Sequence, residues 1–109
     1  MASSSEIQKI LADMRNGLSS NKFILIPRRK NMRSLALLGL TPYDAMDEIY
    51  NLTETDYISG PDIDRDNPSS DFFWKFKKQI CGQIFYIKFK VLYQADGTVN
   101  LVSFHIDGM

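Results

Sequence analysis

The sequence has few residues suited to covalent cross-linking or metal chemistry. Cys81 is its only cysteine and His105 its only histidine, which excludes an internal disulfide, a four-thiolate zinc site and a paired-histidine metal site. No Gly-rich phosphate loop and no Gly-x-Ser-x-Gly turn occurs, so neither metal nor cofactor is expected. Net charge is missing too: 13 Lys and Arg balance 13 Asp and Glu, removing any bulk attraction to nucleic acid or anionic membranes. No apolar run approaches the length of a membrane span. The opening MASSSEIQKI lacks the basic start and apolar stretch of a secretory signal, so a reducing cytoplasm is the expected location.

What is present is an ordinary globular composition, 44% hydrophobic and 24% charged, suited to one domain over residues 1–109 with a modest core. The neutral total hides strong segregation. Lys22, Arg28, Arg29, Lys30 and Arg33 fall within residues 22–33 without an acid, whereas residues 44–71 hold nine acids against the single base Arg65. Lys75, Lys77, Lys78, Lys88 and Lys90 follow, with no acid between Phe72 and Ala95. Local fields, not the total, should decide what binds.

Periodicity gives the elements. Ser4 or Ser5 is expected to cap a helix over residues 1–17, with Ile7, Ile10, Leu11 and Met14 at helical spacing and a stop near Asn16-Gly17. KFILIP reads as a short strand that Pro27 ends or marks as an edge. A second helix places Met32, Leu35 and Leu38 on one face before Gly39. Thr41-Pro42 opens a third, with Tyr43, Met46, Ile49 and Tyr50 as its buried stripe. Residues 59–71 read as a long acidic loop rich in turn residues.

A three-strand antiparallel meander follows, turning at Cys81-Gly82 and Ala95-Asp96-Gly97. The expected fold is therefore α+β: N-terminal helices on one face of a small antiparallel sheet, built from the short N-terminal strand and the meander. Side chains alternate along strands, so Phe72, Trp74 and Phe76, then Phe85, Ile87, Phe89 and Val91, then Val102, Phe104 and Ile106 should face the helices. Lys75, Lys77, Tyr86, Lys88, Lys90, Ser103 and His105 then emerge together on the opposite face. Such a surface suits phosphate, and Phe73 on the same side could stack on an exposed base. Solvated lysines that protect a sheet from edge pairing give the same pattern.

Two other clusters compete for attention. Asp62, Asp64 and Asp66 have the spacing that opens a calcium-binding EF-hand loop, but Asn67 replaces its turn glycine and Phe73 its bidentate glutamate. The run from Asp64 to Pro68 reads instead as a self-paired loop whose Arg65 could also reach a phosphate.

Taken in order, LGLTPYDAMDEIYNLTETDYISGPDIDRD, FFWKFKKQICGQIFYIKFKV and VSFHIDG resemble the MqsR-type toxins of bacterial type II toxin-antitoxin systems, over about residues 22–107. The resemblance implies a RelE-like fold, metal-independent cleavage of messenger RNA by an mRNA interferase, inhibition of translation, and a cognate antitoxin, expected to carry a helix-turn-helix DNA-binding part. Tyr86 matches the strand tyrosine that the family places in its active site. His105 stands where MqsR has a lysine after Ser-Phe, and Lys75 stands near a functional glutamine. A further family lysine has no counterpart, Tyr57-Ile58-Ser59-Gly60 filling its place.

Cleavage of RNA asks little of a protein, because the 2′-hydroxyl is a built-in nucleophile beside the scissile phosphate. Lys88 and Lys75 are the candidates for stabilising charge on phosphorus. His105 is the candidate proton carrier, since imidazole changes charge nearest neutrality among side chains. Tyr86 would position the phosphate or supply a proton, and the sequence leaves acid and base open between the two. Lys77, Lys90, Phe73, Arg65 and Ser103 are candidate RNA contacts. Two other readings use the same features: a non-catalytic nucleic-acid-binding module on the basic face, or a protein-interaction domain that docks a partner on the acidic stretch or the KFILI edge.

Overall fold

A computed structural model describes every residue except Ser69. The fold is α+β, three helices and a five-stranded sheet. Helix α1 (Ser4–Ser19) is followed by strand β1 (Phe23–Leu25), helices α2 (Arg29–Leu38) and α3 (Pro42–Tyr50), and strands β2 (Tyr57–Asp62), β3 (Phe73–Ile80), β4 (Gln83–Val91) and β5 (Val99–Ile106). The sheet order is β1-β5-β4-β3-β2. β1 runs parallel to β5 and the other pairs are antiparallel, so the sheet is mixed.

Strand β2 corrects the expected loop over 59–71, which begins only after Asp62. Ser-Gly-Pro-Asp has the composition of a turn, and the strand it forms pairs irregularly with β3, with register shifts on either side of Ser59. Gly60 sits at φ +127°, where a Cβ would lie 2.9 Å from the Phe73 carbonyl and 3.1 Å from Trp74 Cα. Only glycine lets β2 lie that close to β3.

Helices α1 and α3 cover one face of the sheet, and Ile7, Leu11 and Met14 meet Phe76, Ile87, Phe89 and Leu101 in the core. Ser3, not Ser4 or Ser5, caps α1, its hydroxyl taking the Glu6 N–H while Glu6 returns to the Ser3 N–H. The helix also runs through Gly17, whose missing side chain admits Gly97 O and Val99 Cγ2, each 2.8 Å from where a Cβ would stand. Gly17 is a close-approach residue rather than a stop. Thr41 caps α3 as expected, and Asp44 completes a reciprocal cap by accepting the Thr41 N–H. Its buried stripe is Ala45 and Ile49, with Tyr43 and Tyr50 exposed; the helix touches the core along a narrower face than its apolar content suggests.

Helix α2 differs more from expectation. Met32 is exposed, and the buried residues are Asn31, Ser34 and Leu35. β1 covers β5 only as far as Leu101, which leaves the backbone beyond it without a strand partner. Asn31 supplies one. Its Nδ2 donates to the carbonyls of Ile26 and Val102, and its Oδ1 accepts the Phe104 N–H, each at 2.9 Å. Ser34 Oγ then accepts the Ile106 N–H at 3.0 Å. The two side chains stand in for a sixth strand and satisfy an edge that would otherwise be buried unpaired.

Candidate functional site

The sheet face away from α1 and α3 carries two cross-strand rows. Lys75 on β3 is opposite Lys88 on β4, which is opposite Ser103 on β5. One pleat on, Lys77 is opposite Tyr86, which is opposite His105. A bulge in β5 lies just beyond these rows. Lys88 pairs with Ser103 while the next residue, Phe89, pairs with Leu101, so Val102 is the extra residue. Leu101 therefore enters the core, against the expected alternation, while Ser103 and His105 keep their place on the outer face. Phe72, expected in the core, precedes β3 and is exposed.

Most of the cations on this face already have carboxylate partners. Lys75 pairs with Asp62 at 3.3 Å, Lys77 with Asp107 at 3.0 Å and Lys90 with Asp64 at 2.9 Å. Lys90, only 7% exposed, also bonds Ser70 Oγ at 3.1 Å. Its hydrogen bond holds the Asp64 carboxyl below its ordinary pKa. The loop is self-paired as expected, Asp64 Oδ1 accepting the Asp66 and Asn67 N–H groups at 3.0 and 3.3 Å, but the charge on Asp64 answers Lys90 rather than Arg65, which is exposed on the wall of the cleft described below.

Lys88 is different. Among the described residues no carboxylate lies within ion-pair distance of it, and its Nζ sits 4.2 Å from the centre of the Phe73 ring. Burial, with Lys75 and Arg28 adding repulsion, lowers its pKa below the ordinary lysine value despite opposing pulls from Asp64 and Asp62. Like charges set directly opposite each other on a sheet cost stability, so the Lys75–Lys88 pair is not explained by folding. Phe73 is 9% exposed and carries Lys90 Nζ as well, 4.5 Å from its centre. Its ring supports two ammonium groups instead of offering a face to a base.

Arg28, at the start of α2, is a site residue that the sequence reading left in a basic turn. Its Nη1 donates to Ser103 Oγ at 3.2 Å, extending the first row to Lys75, Lys88, Ser103 and Arg28. Two clefts meet there. One of about 930 Å³ is lined by Asp62, Asp64, Arg65, Phe73 and Lys75, the other of about 450 Å³ by Lys30, Tyr86, Ser103 and His105, and both include Arg28 and Lys88.

His105 is 9% exposed, its ring centre 5.5 Å from that of Tyr86. Its Nδ1 lies 2.9 Å from the Ile106 carbonyl. A carbonyl only accepts, so Nδ1 carries the hydrogen and the neutral ring keeps its lone pair on Nε2. The Tyr86 hydroxyl has no hydrogen-bond partner among the described residues. Base, hydroxyl and unpaired cations therefore share one open surface. No group of three or more metal-ligating side chains occurs among the described residues, and no helix is long and apolar enough to cross a membrane. No protein-family model matches the chain, and no curated protein matches it in sequence.

Proposed function

We propose that this protein is a metal-independent endoribonuclease that cleaves messenger RNA on the outer sheet face, the toxin of a toxin-antitoxin pair that stops translation in the cytoplasm until a cognate antitoxin binds it. The observation that carries the reading is the pairing of His105, its Nδ1–H held by Ile106, with Tyr86 in a cleft that also contains Lys88 and Arg28. In the reaction His105 Nε2 takes the proton of the 2′-hydroxyl. The 2′-oxygen bonds to phosphorus, the bond from phosphorus to the 5′-oxygen breaks, and Tyr86 protonates that leaving oxygen. Lys88 and Arg28 stabilise the charge that gathers on the non-bridging oxygens. The resemblance to MqsR-type toxins supports an active-site position for Tyr86, and His105 stands where the family has a lysine.

The products identify the chemistry. Cleavage of a defined transcript should leave a 2′,3′-cyclic phosphate and a 5′-hydroxyl, and His105→Ala should slow it by about a hundredfold or more. Unslowed cleavage by His105→Ala, purified from a host lacking the common ribonucleases, would remove His105 from the mechanism.

A further inference from the structure

Among the described residues four cations lining the two clefts lack an acid partner: Arg65 on the wall of one, Lys30 on the wall of the other, and Arg28 and Lys88 where the two meet. Lys75, Lys77 and Lys90 each lie within 3.3 Å of an aspartate carboxylate. Among the described residues the Arg28 side chain bonds only the neutral Ser103 hydroxyl, and Lys88 Nζ rests only on the Phe73 ring. These two residues are also the ones shared by both clefts. We infer that the Arg28–Lys88 junction is a binding subsite for a single phosphodiester group, and that Phe73 is the positioning residue that sets it.

The ring acts through charge and shape. An aromatic face attracts an ammonium group while leaving its hydrogens free on the far side, whereas a carboxylate would neutralise it and occupy its donors. Lys90 is held against the same ring by Asp64 and Ser70, so the ring has a second fixed contact. Lys88 is thus held in one place with its charge still available. A guanidinium and an ammonium together match the two non-bridging oxygens of a phosphodiester. The neighbouring acids Asp62 and Asp64 confine that charge to the junction and disfavour a second phosphate over Lys75 or Lys90.

This deepens the ribonuclease reading by placing the substrate phosphate, and it rests on that reading for the nature of the substrate. The probe is thymidylyl-thymidine, a dinucleotide with one phosphodiester and no 2′-hydroxyl, titrated into the isotope-labelled full chain while the lysine Nζ and arginine Nε signals are followed. Saturable shifts greatest at Lys88 and Arg28 are expected. Arg28→Ala and Lys88→Ala should each weaken binding about tenfold or more. Phe73→Leu should weaken it roughly threefold to tenfold, with Phe73→Tyr close to wild type. Greatest shifts at Lys75, Lys77 or Lys90 would overturn the subsite, and undiminished binding by folded Phe73→Leu would overturn the role of the ring. The wild-type shift map decides the first point even where a variant does not fold. Because the dinucleotide cannot be cleaved, an inactive wild-type protein that binds it as expected refutes the catalytic reading alone.

Discussion

At the scale of single residues, the proposed mechanism ties the alkaline side of the pH dependence to Lys88. Burial, then repulsion from Lys75 and Arg28, lowers its pKa, so its ammonium loses a proton at a lower pH than an ordinary lysine does. The charge that meets phosphate is the protonated form. Cleavage should therefore be sustained below that folded pKa and fall as pH rises through it, giving an alkaline limb below the ordinary lysine value of about 10.4. Lys88→Arg keeps the charge to much higher pH, and single-turnover rates across the alkaline range should show the limb displaced upward. A limb unmoved by the change would mean that another group titrates. Tyr93, whose hydroxyl hydrogen-bonds Asp13, is raised by burial and by that carboxylate; it lies on another surface, away from both clefts, and should not shape the profile.

At the scale of elements, the placement of the site depends on α2. Asn31 and Ser34 complete the edge of β5 and fix its carboxyl-terminal half, where Ser103 and His105 stand. Asn31→Ala would leave the Phe104 N–H and the Val102 and Ile26 carbonyls without their partner, costing about 3 kcal/mol. Urea unfolding should register that loss, with little change in the slope of the transition. A cost within about 0.5 kcal/mol would mean that water replaces the amide without penalty. This element also marks where sequence reading stopped. Periodicity of apolar residues placed the helices, the meander and the outer row of Lys75, Lys77, Tyr86 and Lys88, because those positions follow regular alternation. It misplaced Met32 and passed over Asn31, since a buried amide serving as a strand edge leaves no hydrophobic signal. It passed over Arg28 as well: that residue joins Ser103 across 75 positions of sequence, and the turn directing it there shows no pattern. Strand β2 was hidden by Gly60 and Pro61, and the bulge at Val102 by the assumption of unbroken alternation.

At the scale of the whole molecule, neutrality and segregation act together. A net charge of zero and three lysines already paired on the outer face leave few cations to displace counterions from RNA. If the complex uses two to four phosphates, the logarithm of affinity should fall against that of salt with a slope of about −1.4 to −2.8 for single strands. Asp62→Asn frees Lys75 and should steepen it by roughly 0.7. Titrations of a non-cleavable single strand at several salt concentrations give the slope; a much steeper value would imply a wider basic surface than the two clefts. The central claim is that the outer face cuts RNA, and it is tested most directly by incubating a long defined transcript with wild-type protein and Lys88→Ala, with chelator present, and mapping the 5′ ends with and without ribosomes. Discrete cuts by the wild-type protein that are lost with Lys88→Ala are the predicted result. No cuts under either condition, or cuts that persist unchanged in Lys88→Ala, would contradict the account.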